Sequence, residues 1–166
     1  SSLIGVDFSG EAVSLSKKWY NKQENLNFIE GNAEDLPFPD SSFDIVYNVE
    51  SSHCYGNMSK FINEAFRILK PGGNFCWTDF RDDKTMKLTN QLFLDSGFKI
   101  VSKREITKEV LTALDSINEA KKERINELVP KTIRRSFETF AGIEGTPVYE
   151  AFKNQKLKYF CYRMTK

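Results

Sequence analysis

The sequence predicts an α/β domain built on a mostly parallel sheet, and three observations carry that reading. Short apolar runs such as Leu3–Asp7 and Phe43–Val49 have the length of buried strands. Stretches of about 10–15 residues with apolar side chains three and four apart separate them, the pattern of helices with one buried face. Gly or Pro closes most of these stretches. Strands that alternate with helices of this length are joined by right-handed crossovers and therefore pair in parallel.

Leu3–Asp7 (LIGVD) is the first strand and ends in an acid. Ser9 is placed to cap a helix running to about Tyr20, in which Ala12, Val13, Leu15, Ser16 and Trp19 share one mostly apolar face. Leu26–Glu30 is a second strand, stopped by Gly31, and the loop from Asn32 closes on Pro39-Asp40-Ser41-Ser42, a turn signature. Phe43–Val49 (FDIVYNV) is a third strand. The helix from Met58 to Leu69 places Phe61, Ile62, Ala65, Phe66 and Leu69 on one side, and Lys70-Pro71-Gly72-Gly73 stops it. Asn74–Phe80 is a fourth strand, followed by a helix over about Thr85–Ser96 and a strand near Phe98–Ile106.

The tail changes character. Val110, Leu114, Ile117, Ile125, Leu128 and Val129 recur at helical spacing up to Pro130, and Ile133, Phe137 and Phe140 mark a second helical piece. Gly142, Gly145 and Pro147 break the pattern, and Leu157–Met164 is rich in strand formers. The chain thus reads as one domain over 1–166: a core over 1–106, a helical insertion or lid over 107–156, and a closing strand over 157–166. It opens on Ser1-Ser2 and an apolar run, as if cut into an existing fold.

Composition excludes several classes. The 166 residues carry 24 Lys+Arg against 23 Asp+Glu, without the basic surplus that displaces counterions from nucleic acid. Residues 1–100 are net −4 and residues 101–166 net +5, an asymmetry that solvated helix faces such as Lys121, Lys122, Arg124, Arg134 and Arg135 accommodate. Cys54, Cys76 and Cys161 form no CxxC pair, which argues against a disulfide framework or a zinc site and for a reducing, cytoplasmic setting. No metal site is expected. No apolar run reaches the length of a membrane span.

Ligands of open α/β sheets bind beyond the carboxyl ends of the strands. Asp7 ends the first strand, where an acid either accepts hydrogen bonds from ribose hydroxyls or caps the next helix. Asn32, Ala33 and Glu34 follow the second strand, and Asn48 through Tyr55 follow the third.

In the order and spacing of LIGVDFS (Leu3–Ser9), NFIEGNAEDLPFPDSSFDIVYNVESSHCY (Asn27–Tyr55) and FINEAFRILKPGGNFCWTDFR (Phe61–Arg81), the chain resembles class I S-adenosylmethionine-dependent methyltransferases of the type 11-like kind. VESSHCY and TDFR are similar to the phthiotriol/phenolphthiotriol dimycocerosates methyltransferase group. The resemblance covers about residues 3–106 and implies a Rossmann-like sheet, with S-adenosylmethionine as cofactor and a small molecule as methyl acceptor. It implies that Asp7 holds the ribose with Phe8 beside the adenine, and that Asn32, through its amide oxygen, Ala33 and Glu34 face the adenine. Asn48 and Val49 line the methionine end. The strand and glycine-rich turn with which these enzymes begin have no counterpart here. In the superfamily's strand order, 3-2-1-4-5-7-6, that missing strand belongs between the strands at Leu3 and Phe43.

For the chemistry, His53 is the only histidine, and a free imidazole titrates near 6.5, suited to a general base. It is equally read as a surface residue or a substrate orienter. Glu50 is the second catalytic candidate, otherwise an electrostatic partner of the sulfonium or a cap. Cys54 is expected to be a small buried side chain. Trp77, Asp79, Phe80 and Arg81 either floor the acceptor pocket or pack a strand end with a surface ion pair. Phe137, Phe140, Tyr149 and Phe152 are either core or an apolar lid, and a lid implies a lipid-like acceptor. The expected activity is methyl transfer, at a hydroxyl. The rivals are a non-catalytic scaffold or inactive fragment, and a nicotinamide-dependent dehydrogenase, which shares the strand-terminal acid. The sequence assigns neither the acceptor nor an oligomeric state.

Overall fold

The computed structural model describes residues 2–166, arranged as six strands and seven helices. β1 (Leu3–Asp7) and β2 (Leu26–Glu30) pair in parallel, from Leu3 opposite Leu26 to Asp7 opposite Glu30. The helix between them, α1 (Gly10–Trp19), starts at Ser9, whose hydroxyl accepts the Ala12 N–H and so satisfies a donor of the first turn. A second sheet contains β3 (Phe43–Val49), β4 (Leu69–Arg81), β5 (Lys99–Glu105) and β6 (Lys158–Thr165) in the order β3-β4-β6-β5. β3 and β4 are parallel, joined by α2 (Met58–Ile68). α3 (Asp83–Asp95) connects β4 to β5, and β6 runs antiparallel between those two strands.

One face of this sheet holds the core. Phe61, Ile62 and Ala65 of α2 and Phe93 of α3 pack on Phe75 and Trp77 of β4 and on Tyr162 and Met164 of β6. These strand residues alternate along the chain, as a one-sided burial pattern requires. The mostly parallel α/β sheet expected from the sequence is therefore present, with β6 as its antiparallel member.

Between β1 and β3 there is no strand pairing among the described residues. A cavity of about 340 Å³ lies there instead, bordered by Leu3, Ile4 and Val6 on one side and Val46, Asn48 and Val49 on the other. The spatial order β2-β1, gap, β3-β4-β6-β5 places the gap where the sequence reading located the missing central strand. Ile45, Tyr47 and Val49 stand 56–60% exposed on the face of β3 opposite the core.

The local boundaries differ from expectation at two places. The Leu69–Gly73 segment is not a free turn: β4 begins at Leu69, and the register jumps from Phe43 opposite Leu69 to Ile45 opposite Asn74. The extra β4 residues bulge out, with Gly72 at φ +77°, a value that favours glycine. In the tail, Pro147 does not break a helix but starts one. It occupies the first turn of α7 (Pro147–Lys153), where the missing N–H is not needed. α7 completes an insertion that begins with α4 (Thr107–Ser116), α5 (Asn118–Leu128) and α6 (Arg134–Phe140).

Arg67 of α2 fastens the proline-containing loop to the core. Its guanidinium donates to the carbonyls of Leu36 (3.0 Å) and Phe38 (2.7 Å) and pairs with Glu64 and Asp40. Glu64 also accepts the Leu36 N–H at 2.7 Å. Arg67→Met keeps the stem but strands these carbonyls and the Glu64 charge, at an expected cost of about 2 kcal/mol in urea unfolding. An unchanged midpoint would show the loop to be held by its apolar contacts alone.

Candidate active site

The carboxyl ends of β1, β2, β3 and β4 converge with the start of β6, because an antiparallel strand begins where its parallel neighbours end. A chamber of about 1100 Å³ opens at this edge. Asp7, Phe8, Asn32, Ala33 and Glu34 border it from the β1/β2 side, and Glu50 and His53 from the β3 side. Asn48 and Val49 border the smaller cavity between β1 and β3. The two hollows share Val6, Ala33, Ser51 and Tyr55 as common walls.

Asp7 uses one carboxylate oxygen to accept the Ser9 N–H at 2.8 Å, which shapes the turn into α1. Its second oxygen has no hydrogen-bond partner among the described residues. Phe8 stands 81% exposed on the chamber rim, an apolar ring with nothing packed over it. The amide oxygen of Asn32 accepts the Glu34 N–H at 2.9 Å, so the amide NH2 is the end left open, where the sequence reading had offered the oxygen to the adenine. Glu34 spends a carboxylate oxygen on the Asn57 N–H (2.8 Å), tying this loop to the start of α2.

Asn48 closes β3 with its side chain turned inward and only 9% of its surface exposed. The amide nitrogen donates to Ser51 Oγ (2.7 Å) and Tyr55 Oη (2.9 Å), while the amide oxygen is buried without a partner among the described residues. A buried acceptor left in this state costs about 1–3 kcal/mol, so it marks a place where a donor belongs.

After β3 the backbone turns sharply at Glu50, which adopts φ +49°, a left-handed conformation that costs a non-glycine residue about 1–2 kcal/mol. Its carboxylate is held by the Tyr159 hydroxyl. Burial, together with this bond to Glu50, pushes the Tyr159 phenol up from its ordinary range and keeps it a donor. Tyr159 was not singled out in the sequence: it starts a strand, and only the antiparallel direction of β6 brings it to the active edge.

A short 3-10 turn over Ser52–Cys54 carries His53. Its Nδ1 is 2.8 Å from Asp79 Oδ1, and its ring lies 4.4 Å from that of Phe80. Asp79, near the end of β4, has no solvent exposure. It accepts hydrogen bonds from the His53 N–H, Ser52 Oγ and Phe80 N–H and pairs with Arg81 at 3.2 Å. Burial alone would raise the Asp79 carboxyl, but the bonds from Ser52 and His53 and the Arg81 charge together hold it below the usual carboxylate range. An ionised Asp79 makes Nδ1 the proton-bearing nitrogen of a neutral His53 and leaves Nε2 as the basic one.

The remaining expectations divide. Phe80 borders the chamber, whereas Trp77 and Arg81 lie buried, Trp77 donating to Ser52 Oγ at 2.8 Å. The ion pair foreseen at this strand end is thus a buried one. Phe140 and Phe152 join Val110, Leu114 and Val148 as an apolar wall from the helical insertion. Phe137 takes no part in that wall, and Tyr149 turns its hydroxyl to Asp115. Cys54, expected to be buried, is exposed on the rim, because the turn that aims His53 also faces it outward. Of the basic tail residues, Lys121 reaches the chamber and donates to the Ala141 carbonyl at the end of α6. Among the described residues no group of three or more His, Cys, Asp or Glu is placed to hold a metal ion, and no helix is long and apolar enough to cross a membrane.

Residues 1–77 match the family model described as a methyltransferase domain. The phthiotriol/phenolphthiotriol dimycocerosates methyltransferase of Mycobacterium tuberculosis is 32% identical over the whole chain, which covers 61% of that relative. A fatty-acid O-methyltransferase of Mycolicibacterium smegmatis is 30% identical, and the chain covers 60% of it. The chain therefore spans about three fifths of the length of these curated relatives. Among solved structures, a putative sarcosine dimethylglycine methyltransferase from Galdieria sulphuraria superposes with a TM-score of 0.84 at 15% identity, over 99% of this chain and 69% of that one. That likeness shows that the two chains share a fold.

The lowered carboxyl of Asp79 makes part of the stability depend on pH. The pair with Arg81 contributes in full above the unfolded carboxyl range, near 4, and is lost as pH falls through the still lower folded value. Asp79→Asn is expected to cost about 3 kcal/mol at pH 7, with the deficit shrinking below about pH 4 in urea titrations. A deficit that stays constant with pH would show that shape, and not charge, is what Asp79 supplies.

Proposed function

We propose that this chain, related along its whole length to methyltransferases, moves a methyl group from S-adenosylmethionine to a hydroxyl of an apolar, lipid-like acceptor. The observation that carries the reading is the His53–Asp79 pair at a sheet edge shared with Asp7 and Asn32. The M. tuberculosis and M. smegmatis relatives are named for lipid substrates, and the wall of Val110, Leu114, Phe140 and Phe152 supports an acceptor of that kind.

The residues present fit the cofactor. Asp7 has an open carboxylate oxygen for a ribose hydroxyl, with Phe8 beside it as an apolar surface for the base. Asn32 presents an amide donor toward an adenine ring nitrogen. The unpartnered oxygen of Asn48 calls for a donor, and the ammonium of the methionine half is one. When bound, S-adenosylmethionine supplies an electrophilic methyl on a positively charged sulfur. The protein's own part is to place the acceptor hydroxyl in line and to take its proton. His53 Nε2 receives that proton as the oxygen attacks. Asp79 fixes the ring and stabilises the imidazolium that forms, with its own charge maintained by Arg81.

The gap between β1 and β3 favours a second reading, a methyltransferase-derived scaffold without activity. One further strand seated there would pair both edges and bring backbone donors near Asn48. Titration calorimetry with S-adenosylhomocysteine separates the two readings: the enzyme binds it, and a folded scaffold gives no heat. Asp7→Ala is expected to weaken that binding by about 1.5–3 kcal/mol. His53→Ala is expected to lower turnover with a long-chain alcohol far more than cofactor affinity. Equal losses in both would reduce His53 to a structural role.

A further inference from the structure

The mechanism above uses His53 and leaves Glu50, an exposed carboxylate on the chamber border, without a task. Glu50 sits in a left-handed backbone conformation at the chamber border. One of its carboxylate oxygens is pinned by the hydroxyl of Tyr159, a residue only 6% exposed whose ring packs on Phe152 at 4.8 Å and Phe80 at 5.5 Å. The second oxygen has no hydrogen-bond partner among the described residues. Glu50 is thus a rigid acceptor, held from behind and open in front, beside the aromatic rings that border the site.

The other polar groups of the chamber limit what can face it. Asp7 and Glu34 are carboxylates like Glu50, and His53 with Nδ1 committed to Asp79 offers Nε2 as an acceptor. Among the described residues Lys121 is the one ammonium bordering the space, and it donates to the Ala141 carbonyl at 2.8 Å. On the β3 side of the chamber stand two acceptors, His53 Nε2 and the open oxygen of Glu50, in a lining that is acidic on balance. A molecule seated there satisfies both only by bringing two donors of its own.

We propose that Glu50, positioned by Tyr159, reads a second hydroxyl on the acceptor, so that the chamber takes a chain-bearing diol and turns away a free carboxylate. This rests on the methyltransferase reading and narrows its acceptor class. The first hydroxyl gives its proton to His53 as it is methylated. The second donates to Glu50 throughout and exchanges no proton. A carboxylate brings no donor and places like charge against Glu50, which is unfavourable at short range.

The test is calorimetric binding of 1-decanol, 1,2-decanediol, 1,3-decanediol and decanoate to the full protein, with and without saturating S-adenosylhomocysteine. At least one diol is expected to bind about tenfold or more tightly than the mono-alcohol, the range of one charge-assisted hydrogen bond, and decanoate is expected to bind most weakly. Glu50→Gln is expected to collapse the diol preference and to strengthen decanoate binding several-fold, a gain that general damage to the fold would not produce. Tyr159→Phe keeps the ring and frees the carboxylate, and should lower the diol preference part of the way. Wild-type protein that holds decanoate as well as either diol, or a Glu50→Gln variant with unchanged ratios, overturns the proposal. Absence of any S-adenosylhomocysteine binding would refute the methyltransferase reading, while the ligand ratios still decide this one.

Discussion

A carboxylate with no access to water must find its hydration among its neighbours, and Asp79 imposes that demand on everything around it. It collects the Ser52 hydroxyl, the His53 amide and ring, the Phe80 amide and the Arg81 guanidinium. Ser52 in turn takes donors from Trp77 and Arg81, so the core face of β4 and the turn after β3 are bound into one polar cluster beneath an aromatic layer. The cluster sets the angle at which the Ser52–Cys54 turn leaves the sheet. The orientation of His53, the exposure of Cys54 and the border of the chamber all follow from that angle. An uncharged residue at Asp79 would remove the reason for each of these contacts at once.

The α/β class was legible because apolar runs and helical spacing are local signals, and burial on one face enforced them. LIGVD and FDIVYNV became β1 and β3 at the expected residues, and the helix foreseen from Met58 carries its apolar stripe into the core. Errors fell where a local signal has two outcomes. Pro147 is a breaker in mid-helix and a good first residue, and only the chain before it decides which. The KPGG segment has the composition of a turn, yet a bulge accommodates it within a strand.

The site was legible in part for the same physical reason. Residues that follow parallel strands are gathered at one edge by topology alone, so Asp7, Asn32, Glu50 and His53 were identifiable by position. Tyr159 and the link between Asp79 and His53 were not. The first depends on β6 running antiparallel, which places the start of that strand, and not its end, beside the chamber. The second joins residues 26 positions apart through a side-chain bond that no spacing rule encodes. The roles of individual amide ends were equally hidden, since Asn32 commits its oxygen to the loop and Asn48 its nitrogen to two hydroxyls.

The two edges at β1 and β3 that face the cavity leave the β1/β2 side of the site less firmly paired than the β4 side. A strand edge presents alternating N–H and C=O groups, and those facing an apolar cavity have only water or another strand to meet them. β4 has no such deficit, because it is paired on both sides and its end is locked by the Asp79 cluster. Strand pairing is therefore complete at β4 and β6 and incomplete at β1 and β3. In-line transfer depends most steeply on how the attacking oxygen is held, since a displacement of about 1 Å there costs on the order of a hundredfold in rate. In the proposed reaction the proton acceptor His53 is tied through Asp79 to the doubly paired β4, while the residues offered to the adenosine follow β1 and β2 beyond the gap, so the firmer support goes to the more demanding geometry.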